Sequence, residues 1–118
     1  MMYWRLFEER DGELYSLFHG CFGTRVILEG QWLMAQHKMV RDGANQDRYL
    51  SGWHVFADES GLEYLGRFRK PRRLVAVQVE VDNTWPKPTN PDILLARWMR
   101  VPVGAPRRVV MDTPAMSA

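Results

Sequence analysis

Cysteine is almost absent from this chain. Cys21 is the only one among 118 residues, so no intramolecular disulfide can form and a reducing compartment is the natural setting. No apolar run approaches the roughly 18 residues of a membrane-spanning helix, and charge interrupts the apolar residues between Met1 and Arg10 before a signal-peptide core could build up. These absences lead to the expectation of a soluble, cytoplasmic protein with no membrane partner. Charge of one sign is missing as well: 16 Lys and Arg stand against 14 Asp and Glu, a net charge of +2, so any nucleic-acid role has to rest on a local cluster. What is present is ordinary globular composition, 46% hydrophobic and 25% charged, which excludes disorder and collagen-like structure. The length supports one domain, expected over residues 1–101 and followed by a Pro-rich tail, 102–118, with a short edge strand at Val109-Val110-Met111.

Patterning along the chain predicts a hairpin first. Tyr3 to Glu8 and Glu13 to Phe18 are rich in aromatic and branched residues, and Asp11-Gly12 between them suits a tight turn with positive φ. A loop at His19 to Thr24 follows, then a strand from Val26 to Met34 with Gly30 as a bulge. Arg41 to Ser51 is polar and is expected to be a surface flap. Gly52 to Ala57 reads as a short strand. Asp58 then caps a helix over about 58–70, with Leu62, Leu65 and Phe68 as its buried stripe, Arg67, Arg69 and Lys70 at its negative end, and Pro71 as its stop. Arg73 to Val81 alternates as a strand, with Val75, Val77, Val79 and Val81 on one face. Asp82 to Pro91, with three prolines, reads as loop, and the segment from Ile93 to Val101 is apolar on both faces and so expected to be a central strand. The predicted fold class is α+β, a twisted, mainly antiparallel sheet carrying one helix.

The residues that could carry chemistry are few. Arg67, Arg69, Lys70, Arg72 and Arg73 put five cations in seven residues, enough for two or three phosphates, although helix C-termini collect cations for dipole reasons alone. Nucleic-acid binding through them is the lesser reading. His19, Cys21, His37 and His54 show no zinc-ligand spacing, so no metal site is expected. Five tryptophans are many for this length, and Trp85, in the Pro-rich segment, is the expected exposed anchor for a protein partner.

Two segments carry a resemblance. Leu14 to Gly20, ending in His19-Gly20, resembles the strand with a His-Gly step in ADP-ribosyltransferases of the poly(ADP-ribose) polymerase type. Ser51 to Asp58, continuing through a helix with Tyr64 to the strand at Leu74–Val81, resembles the Gly-aromatic strand, helix and valine-rich strand of that family, and small phage and bacterial proteins of unknown function share this pattern. The match spans about residues 14–101. It implies an NAD site in which His19 and Gly20 bind the ribose and the nicotinamide amide, while His54 or Tyr64 supplies the stacking aromatic. The family's glutamate has no counterpart: the corresponding segment offers Asp92, and Glu80 lies on a different strand. Without that carboxylate the oxocarbenium-like transition state loses a large electrostatic stabilisation.

Taken together, the residues point first to a small non-enzymatic interaction protein without a cofactor. The expected form is a phage-encoded or mobile-element accessory protein that binds and inhibits a host complex, of the anti-CRISPR type. An NAD-dependent ADP-ribosyltransferase, or a degenerate nucleotide-binding relative, is the alternative.

Overall fold

Ten β-strands, all paired antiparallel, make up the regular structure of a computed structural model that describes residues 2–16, 26–35, 39–41, 48–57, 73–88 and 90–112. The strands are β1 (Met2–Arg10), β2 (Glu13–Tyr15), β3 (Val26–Ile27), β4 (Leu33–Met34), β5 (Met39–Arg41), β6 (Arg48–Leu50), β7 (Trp53–Phe56), β8 (Arg73–Lys87), β9 (Asn90–Arg100) and β10 (Arg107–Asp112). The first hairpin forms as its turn residues require, with Asp11 at φ 50° and Gly12 at φ 80°, the backbone twist that joins two right-twisted strands.

Eight of these strands form one sheet that closes on itself. β8 pairs with β9, β9 with β7, β7 with β1, and β1 returns to β8 over the register Met2↔Glu80 to Glu8↔Leu74. β10 adds to β8, β2 and β3 extend from β1, and β4 lies along β9; β5 and β6 form a separate pair. Inside the ring lie Phe7, Trp53, Val55, Val75, Val77, Val79, Ala96 and Met99, with Val81 packed beside them. The four-valine face of β8 is thus the wall of the core. Leu6, Phe56, Leu74, Ala76 and Ile93 form a second cluster on the opposite face, joined by Trp4, Val110 and Met111.

The described residues are therefore mainly β, not α+β, and contain no helix. The helix expected over 58–70 falls outside them. Three further expectations need correction, the first being the surface flap over 41–51, of which Arg41 belongs to β5 and Arg48–Leu50 form β6 with Tyr49 buried. Asp82 to Pro91 is not a loop, because β8 runs on to Lys87 and β9 starts at Asn90. Proline lacks a backbone donor, which rules it out only where a donor is needed. Among the described residues β8 beyond Val81 pairs with β9 alone, so Pro86 sits on a strand half with no second strand recorded beside it among them. The strand expected from Val26 to Met34 is instead two short strands, β3 and β4, separated by a turn at Glu29-Gly30 where Gly30 adopts φ 80°. A side chain there would also press on Val103, whose Cγ2 would lie 2.8 Å from an added Cβ.

One irregularity shapes the hairpin of β8 and β9. Ala96 and Met99 are three residues apart yet share the inner core, so alternation shifts by one between them. Opposite that point stands Asn83, at φ 58°, in the left-handed region that asparagine tolerates. The two strands shift together, and the register stays aligned from Val81↔Met99 to Pro86↔Leu94.

Candidate interaction face

On the outer side of the ring, cross-strand pairing sets two rows of side chains next to each other. Met34 lies opposite Trp98, which lies opposite Asp82; Arg100 lies opposite Glu80, which lies opposite Met2. The Arg100 guanidinium stands 4.8 Å from the centre of the Trp32 ring, which joins Trp32 to the second row. Trp32 (43%), Met34 (47%) and Met2 (41%) are exposed, an arrangement unlike the scattered single apolar residues of an ordinary surface.

The charges on this face are unequal. The Glu80 carboxylate accepts from Arg100 Nε at 2.6 Å, and the Asp82 carboxylate accepts from the Asn83 amide at 2.9 Å. Arg97 donates from Nη2 to the Met34 sulfur at 3.7 Å and meets no carboxylate among the described residues. It is a cation beside exposed apolar surface, held by a weak acceptor.

The residues singled out from sequence fall elsewhere. His19, Gly20, Tyr64, Arg67, Arg69, Lys70 and Arg72 lie outside the described residues, as do Cys21 and His37. Arg73 is committed internally: Nε donates to Glu9 at 2.6 Å and Nη1 to Asp112 at 2.7 Å. Arg107 joins it, reaching Glu9 at 2.8 Å, the Gly12 carbonyl at 2.6 Å and Glu29 at 3.2 Å. Arg107 and then Arg73 hold the Glu9 carboxyl below the usual carboxylate range, and hydrogen bonding to Glu9 raises both guanidinium values in turn.

His54 and Trp85 do come together. Each lies opposite Leu95, on either side of β9, so they share a face. Trp85 is half-buried rather than an exposed anchor, and its indole N–H is enclosed without an acceptor. The Tyr49 hydroxyl lies 3.5 Å from His54 Nε2, His54 Nδ1 lies 3.3 Å from the Gly52 carbonyl, and the Lys87 ammonium stands 4.9 Å from the centre of the Tyr49 ring. With Nδ1–H donating to Gly52, Nε2 accepts from Tyr49, so both ring nitrogens are engaged. On the inner side, Arg5 donates from Nη1 to the His54 carbonyl at 2.8 Å and lies between the rings of Phe7 (5.3 Å) and Trp53 (5.0 Å). Burial lowers its pKa to about 10. Among the residues named for the resemblance, Asp92 is exposed at the hairpin end and Glu80 is taken by Arg100.

No protein-family model, curated protein or solved structure matches this chain. The outer face is therefore read from its own chemistry. Among the described residues no group of three or more His, Cys, Asp and Glu could hold a metal ion, and no helix is long and apolar enough to cross a membrane. Trp32, Met34 and Arg97 were not singled out from sequence. The sequence signal was ambiguous: Gln31-Trp32-Leu33-Met34-Ala35 carries no charge and is apolar on both faces, a pattern that fits a doubly buried strand as well as one with an exposed apolar side.

Proposed function

We propose that the chain is a non-enzymatic interaction protein that engages a partner protein through Trp32, Met34 and Trp98, with Arg97 receiving a carboxylate from that partner. The observation that carries the reading is the pairing of an exposed Trp and Met with a cation whose side-chain partner among the described residues is a sulfur atom. Trp, Met and Arg are the residue types that concentrate binding energy at protein interfaces. A partner offering an apolar side chain next to an Asp or Glu completes both halves of the face. Acting by occlusion, a chain of this size would block a surface on a larger bacterial assembly, as a phage-encoded inhibitor of the anti-CRISPR type does.

The test is capture from bacterial lysate by the wild-type chain compared with Trp32→Ala and with Arg97→Glu. A specific partner lost with both variants, while their circular dichroism matches wild type, supports the reading. Partners captured equally by all three proteins would place the interaction elsewhere.

A further inference from the structure

β10 is fastened to the molecule in a different way from the strands of the ring. None of its six residues is buried, and its register on β8 shifts between Val109 and Met111. Val110 and Met111 lie half-buried against the second apolar cluster, to which β8 contributes Leu74 and Ala76. The side-chain ties at its two ends are ionic. Arg107 reaches the Glu9 carboxylate at 2.8 Å, the Gly12 carbonyl at 2.6 Å and Glu29 at 3.2 Å, while Arg73 donates to Asp112 at 2.7 Å and to Glu9 at 2.6 Å. Glu29, Arg107, Glu9, Arg73 and Asp112 thus form a chain of alternating charge with Glu9 at its centre.

The strand also has a hinge. Between β9 and β10 the backbone turns at 102–105, where the Ala105 amide donates to the Pro102 carbonyl at 3.1 Å, Gly104 adopts φ 72° and Val103 is exposed. Rotation there moves β10 without breaking any pairing of the ring, because β8 keeps β1 on its other side and β9 along its far half.

We propose that β10 is an acid-released strap, which opens as a unit about the 102–105 turn when the Glu9 carboxylate is protonated, while the ring of β1, β8, β9 and β7 stays closed. A neutral Glu9 no longer attracts Arg107 and Arg73, and leaves two like charges around an uncharged group. The elements around Glu9 supply no replacement among the described residues: β8 presents Arg73, β10 presents Arg107, β2 places Leu14 opposite, and the β3–β4 turn presents Glu29, which shares Arg107. Arg107 first, and then Arg73, hold the Glu9 carboxyl below its ordinary value, so closure is favoured above about pH 4.5 and weakens as pH falls through the lower folded value. Opening uncovers Leu74, Ala76 and the 73–77 edge of β8, an apolar strand edge that is covered at neutral pH. The strap does not depend on the partner assigned above.

Amide hydrogen exchange of the full chain, read by NMR and corrected for the intrinsic pH dependence of exchange, tests it. Protection of the β10 amides that pair with β8, taken relative to the amides of residues 94–99 in β9, is expected to fall by about tenfold or more between about pH 6 and about pH 3.5. In Glu9→Gln that relative protection is expected to be low at both pH values. Should this variant lose its fold, Arg107→Gln acts from the side of the strap and is expected to do the same. Asp112→Asn removes only the exposed outer tie and is expected to keep the acid step. Strap amides that exchange only in step with β9, that are unprotected already near neutral pH, or that keep the full acid step when Glu9 or Arg107 is replaced would overturn the inference.

Discussion

Arg5 is the residue whose environment is least expected from its chemistry. Its neighbours Tyr3 and Phe7 point inward on β1, so alternation carries a guanidinium into the core, where its Nε–H has no acceptor. The folded state disfavours the charged form, so the burial cost is in place below about pH 10 and is relieved as pH rises above that value. Arg5→Met keeps volume and removes that cost, and is expected to change urea stability by less than about 1 kcal/mol in the destabilising direction, or to raise it. Arg5→Ala also opens a cavity, for an expected loss of about 2–4 kcal/mol. Glu9 differs in that the folded state favours its charged form. Its carboxyl is held below the ordinary value, so its stabilisation is present above about pH 4.5 and is lost as pH falls through the lower folded value. Glu9→Gln is expected to lose about 1–3 kcal/mol at neutral pH and to flatten the acid limb of a urea-midpoint series.

At the scale of elements, the sequence was readable where a turn had its own chemistry. Asp11-Gly12 announced its hairpin, and the alternation of Val75, Val77, Val79 and Val81 announced the wall of the core. Reading failed where tertiary context decided. Three prolines argue for loop unless one knows that, among the described residues, β8 beyond Val81 pairs on one side only, and that depends on where β1 stops pairing. Trp85 sits in that segment, so the error also misplaced a site residue, while the exposed Trp32 was hidden in an apparently continuous strand. Gly30 and Gly12 provide a test of the turn that split it. Both have positive φ, but an added Cβ meets Val103 at Gly30 and open space at Gly12. Gly12→Ala is expected to cost about 1 kcal/mol, and Gly30→Ala clearly more, by thermal or urea unfolding.

For the whole molecule, the edge strand expected at Val109-Val110-Met111 is present within β10 and is tied into the sheet. β10 pairs with β8, Val110 and Met111 pack on the second cluster, and Arg107 ties β1 to the β3–β4 turn through Glu9 and Glu29. A chain ending at Ala105 is expected to lose about 3 kcal/mol or more from apolar burial alone, read as a lower urea midpoint. A truncated chain as stable as the full one would make β10 an ornament of the sheet.

The return of β1 to β8 sets a timetable for the ribosome. Met2 pairs with Glu80, 78 positions later, so β1 waits for much of the following chain before the ring can close. In the meantime β1 pairs with β2 and, once Trp53–Phe56 is made, meets β7 at Trp4↔Phe56. Such distant pairings slow folding, because the entropy of closing a long loop is lost before any contact compensates for it. During that interval the alternating apolar face of β1 is uncovered, and the nascent chain depends on whatever shields it until Arg73–Lys87 emerges.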